Sequence, residues 1–496
     1  MKFKRQTALI LALLSIFLVS CKDTGTSDIT SAESDSESAP EVTTEPAEYI
    51  KPDVNYDGAV IRVMEEVSSS SVWQASSYFD IRAFEESGDP INDAQYKRNR
   101  AVEEALGIRF EYVDNNVNGK TDDASPNVRT QIMAADDFAD IIFLNGKSFK
   151  SLLAEDGMLL DFGDFKNLDI GASWWNQNAV EAFTFGNTTK VLTGDISLYS
   201  SFAPMLLFLN KNVADIYKLD NCYDLVRSGK WTYDRMKEMC VAVADDLNGD
   251  TVLDENDRFG MAEQAGLVGD MLTSCGVKFT DRDSSGKLIP ALNTEKTASL
   301  VADFVTFLND NSINCCAGNY SGKFKNVFYD LHIPMFKNDQ ILFNYQQLLI
   351  AFELRAMDAD YGLIPFPKYD EAQENYITAT SNSWITFVCV PATVQDTDRI
   401  GYVLDALGYY SKQLVTPEFI DTTVRAKSLR DDDSAEMLEI ILGNTVYDIA
   451  AVYNWGGLRT MVNNMGYNKD VNFASSYAAA EAKILSEMES TMNMLG

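Results

Sequence analysis

The sequence predicts an α/β fold, and three observations carry that prediction. Short apolar runs such as residues 59–64 (AVIRVM) and 139–144 (ADIIFL) have the length of strands, and the second is the kind a parallel strand buried on both faces requires. Stretches with helical periodicity separate such runs, which forces right-handed crossovers and mostly parallel sheets. The length, 496 residues, suits roughly three domains of about 150 residues, or two large lobes sharing one ligand. Hydrophobic residues make up 46% and charged residues 23%, which rules out whole-chain disorder, a collagen-like repeat and a polytopic membrane protein.

In chain order, Lys2, Lys4 and Arg5 form a positive head before an apolar run over residues 7–20. That run is too short for the ~30 Å of bilayer hydrocarbon and reads as a secretory signal over residues 1–20. It ends in Leu18-Val19-Ser20-Cys21, which resembles a bacterial lipobox and implies that Cys21 is lipidated. Residues 22–53 are rich in Ser, Thr, Asp, Glu and Pro with almost nothing to bury. They read as a disordered acidic tether spanning roughly 30 Å.

The folded part opens with a strand over 59–64, a helix over 92–106 closed by Gly107, and a strand over 108–113. The strand at 139–144 follows. Further on, Thr294 is placed to cap a helix whose face is Leu300, Phe304, Phe307 and Leu308. Residues 341–345 and 384–390 read as strands, and 396–414, 434–442 and 473–494 as helices. No fixed-period repeat is present, which excludes a solenoid or propeller.

Lys and Arg total 41 against 74 Asp and Glu, a net charge of −33 that repels phosphate backbones and excludes nucleic acid as a partner. One histidine, His332, rules out paired-imidazole chemistry such as an H-E-x-x-H zinc site. The six cysteines after Cys21 include no C-x-x-C pair, and they read mostly as free thiols. A carboxylate-dependent glycoside hydrolase or lyase would need two acids about 5–9.5 Å apart, and with so many acids that signal carries no weight. No G-x-S-x-G is present, so a serine hydrolase has no support. The chain reads as a binding protein and not an enzyme.

Five segments carry a family resemblance: residues 91–108 (INDAQYKRNRAVEEALGI), 206–214 (LLFLNKNVA), 223–239 (YDLVRSGKWTYDRMKEM), 361–376 (YGLIPFPKYDEAQENY) and 426–442 (AKSLRDDDSAEMLEIIL). In this order they resemble the carbohydrate-type extracellular solute-binding proteins (family 1) of bacterial ABC importers. The resemblance implies a two-lobed periplasmic-binding-protein-like fold of type II, each lobe a mostly parallel sheet flanked by helices. It places crossings near 202–205, 336–339 and 381–384, which makes residues 54–203 and 339–382 the first lobe and 204–338 and 383–496 the second. It further implies a monomeric receptor on the outer face of a Gram-positive cell membrane, held there by its lipid anchor alone. That receptor passes a carbohydrate, an oligosaccharide by preference, to the permease subunits. A non-sugar solute such as a peptide or polyamine, or a sensor or adhesin role, stays open beside it.

Residues 246–257 (DLNGDTVLDEND) place oxygens as an EF-hand loop does, in Asp246, Asn248, Asp250, Asp254 and Asp257, with the Val252 carbonyl at the seventh position. The departures are Thr251 where EF-hands place glycine and Asp257 where they place glutamate. Similar loops in alginate-binding relatives finish coordination at the positions of Asp254 and Glu255, and both closures stay open. The expected ion is Ca2+ in a structural role, against a metal-free acidic turn.

A sugar cleft wants aromatic platforms ringed by polar side chains. Trp384 and Trp455 lead the candidates, followed by Trp73, whereas Trp174, Trp175 and Trp231 read as packing. Glu65, Asn145 and Asn344 stand at strand ends, where an α/β sheet builds its crevice. Tyr199 and Tyr345 complete the set.

Overall fold

The apolar runs become strands in two sheets joined by crossing segments. The structure is a computed structural model that describes residues 50–66, 78–113, 123–263, 265–354, 360–381, 385–422 and 432–495. The leader, the tether, Cys21, Trp73 and Trp384 lie outside the described residues. In chain order come β1 (Ala59–Glu65), α1 (Pro90–Leu106), β2 (Ile108–Val113), α2 (Ser125–Met133), β3 (Ile141–Asn145), α3 (Phe149–Leu153), α4 (Gln177–Phe183), β4 (Thr184–Phe185), β5 (Thr188–Thr189) and α5 (Leu198–Phe202). A second group holds β6 (Met205–Asn210), α6 (Lys211–Ile216), α7 (Cys222–Arg227), α8 (Tyr233–Val243), β7 (Phe259–Glu263), α9 (Val268–Ser274), β8 (Thr280–Arg282), β9 (Leu288–Pro290), α10 (Glu295–Leu308), β10 (Asn314–Cys316), α11 (Ile333–Lys337), β11 (Ile341–Gln347), α12 (Ala351–Leu354) and β12 (Tyr361–Ile364). The last group is β13 (Thr386–Cys389), α13 (Thr397–Tyr410), α14 (Thr416–Ile420), α15 (Asp432–Gly443), α16 (Ile449–Tyr453), α17 (Leu458–Asn468) and α18 (Phe473–Leu495).

The first sheet has the order β13-β3-β1-β2 and the second β10-β7-β11-β6-β12. Strands β1, β2 and β3 run parallel, as do β7, β10 and β11. Strands β13 and β6 run against their neighbours. Each of these two follows directly on a crossing between the sheets. Each therefore enters its sheet at the end where its parallel neighbours finish: Thr386 pairs with Asn145, and Met205 with Gln347. The crossings thus tie together the C-terminal edges of the two sheets.

The sequence placed residues 339–382 in the first lobe and a crossing near 336–339, and the structure corrects both. Strand β11 pairs with β7 and β6, and β12 pairs with β6, so both belong to the second sheet. Phe336 is fully buried in α11, and Asp339 is a left-handed turn (φ 59°) into β11. The segment 383–496 is likewise divided. Strand β13 joins the first sheet and α13 packs on α1, whereas α15 packs on β12 and α17 on α9 and α10. The return crossing is therefore the second one, between β12 and β13, and a third lies between α13 and α15. An apolar strand pattern states that both faces are buried; it does not state in which sheet.

Helix α1 shows why local sequence sets boundaries well. Asp89 accepts from the amides of Ile91 and Asn92 (3.1 and 3.0 Å), and Pro90 starts the helix with its fixed φ. Gly107 ends it at φ 65°, where a Cβ would sit 2.1 Å from the Asn55 side-chain oxygen. Thr232 and Thr294 cap α8 and α10 by accepting from Arg235 and Thr297 amides. Cys222, Cys240, Cys275, Cys315, Cys316 and Cys389 are buried and form no disulfide among the described residues.

Alternate side chains feed opposite faces of each sheet. Ile61, Val63, Ile141, Phe143 and Val388 pack under α1 and α13. Met64, Ile142, Leu144 and Phe387 face a second core that continues through Met205, Leu207 and Leu209 into the helices α8, α9, α10 and α17. Leu206 and Phe208, the other face of β6, join a third core with Phe202, Phe336 and Phe352. Strand β6 therefore separates two apolar bodies, each reaching into both lobes.

A buried polar hub fixes the first lobe to the crossings. Asp80 accepts from the Ser197 hydroxyl (3.2 Å), the Tyr199 amide (3.2 Å) and the Thr386 hydroxyl (2.7 Å). Replacing Asp80 by alanine leaves those donors buried and Arg98 without its nearby charge. Urea denaturation should show a loss of about 2–4 kcal/mol. Lys97→Ala, which removes an exposed pair with Glu86 at 3.5 Å, should cost less than ~0.5 kcal/mol in the same experiment.

Candidate ligand-binding site

Parallel strands present their C-terminal ends to ligands, and here the two sheets turn those ends toward one another. On the first sheet the βα connection after β1 carries Tyr78; on the second, α12 after β11 carries Phe352. Their rings meet at 5.7 Å between centroids, with Phe202 of the first crossing at 6.2 Å from Tyr78 and 5.2 Å from Phe352. Phe419 of α14 closes the group against Phe202 at 5.5 Å. Beside it, at the start of α1, a cavity of about 280 Å³ is lined by Tyr78, Phe79, Phe84, Asp89, Asn92 and Gln95, among others. Aromatic faces ringed by carboxylate and amide groups are what a hydroxylated, flat-faced solute needs.

The second sheet contributes buried polar atoms with no oxygen or nitrogen hydrogen-bond partner among the described residues. They are both carboxylate oxygens of Glu263 at the end of β7, both side-chain polar atoms of Asn344 and the Gln346 amide nitrogen, joined by the hydroxyls of Thr378 and Thr380 in the segment that leaves the sheet after β12. Glu263 and Asn344 are fully buried, and Thr378 is 1% exposed. Burial pushes the Glu263 carboxyl well above the usual carboxylate range, while the neighbouring Cys316 thiol pulls it back. Such atoms cost free energy until a partner arrives. Strand register places Cys316 beside Glu263, and Thr380 bridges to Pro204 next to the residue that pairs with Gln347.

Several residues picked from sequence instead hold the framework. Glu65 is 2% exposed and accepts from the amides of Ile81 (2.8 Å) and Arg82 (3.0 Å), so it orders the segment after β1. Burial and the nearby Asp80 push its carboxyl up to about 7. Asn145 accepts from the Lys147 and Ser148 amides at the end of β3. Tyr199 is buried and donates its hydroxyl to the Tyr78 carbonyl at 2.8 Å, bracing an aromatic of the cluster. Tyr345 is fully buried against Phe366 at 4.7 Å.

Trp455 is corrected from ligand platform to packing. It is 2% exposed, stacks on Tyr453 at 5.4 Å and donates its indole N–H to Thr491 of α18. The exposure expected of its loop disappears because α18 covers it, a contact no local pattern announces. Trp174, Trp175 and Trp231 are also buried.

The sequence also missed Glu66, Arg98 and Glu263. Glu66 accepts from the amides of Asn145 and Ala124 and from Ser148, tying β1 to the starts of α2 and α3. Arg98, fully buried, donates to the carbonyls of Asp80 and Ile81. The available signals were a Gln95 and an Arg98 on the apolar stripe of α1, and a glutamate ending the run Phe259–Glu263.

In the acidic loop, Asp246 accepts from the Gly249 and Thr251 amides, Asn248 from Asp250, and Asp250 from Val252, each at 2.8 Å. Asp257 accepts from Leu247 and Asp254, and Glu255 pairs with Lys323. Thr251 adopts φ 69° at the position where EF-hands place glycine. Among the described residues no three His, Cys, Asp or Glu side chains group closely enough to hold a metal ion. As folded, the side chains of Asp246, Asn248, Asp250 and Asp257 accept from the loop's own amides.

Neither a protein-family model nor a curated protein matches this sequence. Solved structures do match its fold. An ABC substrate-binding protein of Listeria monocytogenes in complex with cycloalternan aligns over 87% of this chain and 100% of its own, with TM-score 0.54 and 14% identity. A sugar transporter protein of Rhizobium etli in an open conformation aligns over 88% and 99%, with TM-score 0.57 and 12% identity. UgpB of Mycobacterium tuberculosis in complex with glycerophosphocholine aligns over 81% and 97%, with TM-score 0.54 and 13% identity. This chain therefore has the two-lobed α/β fold of solute-binding proteins.

Glu66 gives the site a pH signature. Its folded carboxyl is pushed up to about 7 by burial, so the folded chain retains a proton that the unfolded chain releases near 4.5. Its contribution to stability is present below pH 4.5 and lost as pH rises through 7. Urea midpoints at pH 5 and pH 8 should differ more in the wild type than in Glu66→Gln, by on the order of 2 kcal/mol.

Proposed function

We propose that this chain is an extracellular receptor, held to the membrane by lipidated Cys21, that captures a carbohydrate between its lobes and hands it to an ABC permease. The observation that carries the reading is the meeting of the two C-terminal sheet edges across their crossing segments, with the aromatic group of Tyr78, Phe202 and Phe352 joining the lobes and buried polar atoms at the strand ends of the second sheet. Sugar hydroxyls would supply hydrogen-bond partners to Asn344 and Thr380 and a second partner, beside the Cys316 thiol, to Glu263, and aromatic rings would take the apolar sugar faces. Trp73 and Trp384 belong to the proposed contact set through their places in the sequence, after β1 and before β13.

Support comes from the fold shared with proteins solved in complex with cycloalternan and with glycerophosphocholine. The second of these keeps a non-sugar solute as the alternative. Capture needs no bond making, so no catalytic residues are assigned. The ligand's work is done by its greater affinity for the closed state than the open one. Among the described residues no helix is long and apolar enough to cross a membrane, and attachment in this reading is through the lipid.

A thermal-shift panel of mono- and oligosaccharides, with peptides, polyamines and phosphodiesters as controls, tests the reading. A sugar at 100 times its dissociation constant should add about 2.7 kcal/mol of stability and be recovered intact. Response to another class alone would remove the carbohydrate assignment. Glu263→Gln should weaken the responding ligand by ten- to a hundredfold, about 1.4–2.8 kcal/mol, without lowering the unliganded midpoint.

Calcium in the loop over residues 246–257 is a separate proposal. Equilibrium dialysis should retain one Ca2+ per chain, lost in Asp246→Asn combined with Asp250→Asn. Absence of retained calcium would leave the loop a metal-free turn.

A further inference from the structure

The lobes also meet on the other face of β6, away from the Tyr78 and Phe352 contact. Phe202, Leu206 and Phe208 point to the core that includes Phe352, with Tyr78 packed on it. Ala203, Met205 and Leu207 point to the core that holds Phe183, Phe387 and Ile449, with Tyr447 packed on it. On this second side the β8–β9 hairpin reaches from the second lobe to the end of α4 in the first. The Arg282 guanidinium donates to the carbonyls of Thr184 (2.9 Å) and Glu181 (3.2 Å) and lies 5.8 Å from the Phe185 ring centroid. Two further side-chain bonds cross the same gap: Asn178 to the Thr445 carbonyl (2.8 Å) and Tyr453 to the Lys150 carbonyl (3.0 Å). A cavity of about 380 Å³, lined in part by Asn178, Glu181, Arg282, Tyr447 and Asp448, lies between the bonded elements.

We propose that Arg282, with Asn178, is a clasp that sets the angle between the lobes before any ligand binds. Three physical points support it. The Arg282 guanidinium is a planar fork whose Nη2 donates to both first-lobe carbonyls while its Nη1 donates to the Gly286 carbonyl of its own hairpin at 3.0 Å, so one rigid group ties the hairpin to α4, whereas an ammonium serves as a point donor. The hairpin's own fold does not require the cross-lobe bonds, because β8 and β9 pair with each other and Asp448 holds the Phe279 and Thr280 amides. Because the clasp and the aromatic contact lie on opposite faces of one crossing strand, a rotation about that strand cannot tighten both. The clasp is therefore placed to bias the lobe equilibrium, whatever solute the cleft takes.

The test needs no ligand. Spin labels at Lys97→Cys in the first lobe and Lys230→Cys in the second, in the full chain with Cys21→Ser, report the inter-lobe distance, since the six other cysteines are buried. Arg282→Ala should shift or broaden the distance distribution, Asn178→Ala should change it in the same sense, and Arg282→Lys should fall between. Lys278→Ala, an exposed change on the same hairpin, should leave it as in the wild type. Superimposable distributions for the wild type and Arg282→Ala, with a wild-type melting midpoint, would overturn the proposal. Should Arg282→Ala lower the midpoint, the Arg282→Lys distribution decides: displacement supports the clasp, and coincidence with the wild type overturns it.

Discussion

The arrangement of this protein depends on one buried polar junction, where the segment after β1 is pinned between a strand end, a helix and two crossings. Glu65 holds the amides of residues 81 and 82 from the strand side. Arg98, with Gln95 and Asn99, holds the carbonyls of residues 79–81 from α1. Asp80 reaches past them to Ser197, Tyr199 and Thr386, which flank the two crossings. Burial pulls the Arg98 guanidinium down to about 10 and pushes the Asp80 carboxyl up. The arginine remains protonated at neutral pH, and its charge favours the ionised form of Asp80. A junction of this kind is costly if half-made and rigid when complete. Its completeness lets a segment of loop present Tyr78 toward the second lobe.

Rigidity there is matched by economy at the crossings. The strands that follow crossings, β6 and β13, run against their neighbours, so each enters its sheet at the C-terminal edge. That polarity gathers βα connections, crossings and unpaired strand-end side chains into one region. A binding region at this place follows from strand direction, before any particular residue is considered.

The two faces of β6 divide the contacts between the lobes. One carries the aromatic group of Tyr78, Phe202 and Phe352; the other carries Phe183, Phe387 and Tyr447, with the polar bonds of Arg282 and Asn178 at its rim. Alternation of side chains along a strand makes this division unavoidable. Opposed contacts of that sort give a hinge two stops, and the balance between them is a property of the chain alone.

The sequence by itself determined the α/β class, most element boundaries and the packing role of Trp174, Trp175 and Trp231. Caps such as Asp89, Thr232 and Thr294, and the left-handed stop at Gly107, act within a few residues and so are legible locally. It did not reveal that β11 and β12 join the second sheet, since a doubly buried strand looks alike in either. It took the strand-end residues Glu65 and Asn145, and Tyr199, for ligand contacts, whereas the fold uses them to hold backbone amides and carbonyls. It exposed Trp455, which α18 covers from more than thirty residues away. Only the tertiary structure decided which polar atoms, such as those of Asn344, are buried without a hydrogen-bond partner among the described residues. Satisfaction of a hydrogen bond depends on what the rest of the chain brings within three ångströms, and local spacing does not contain that information.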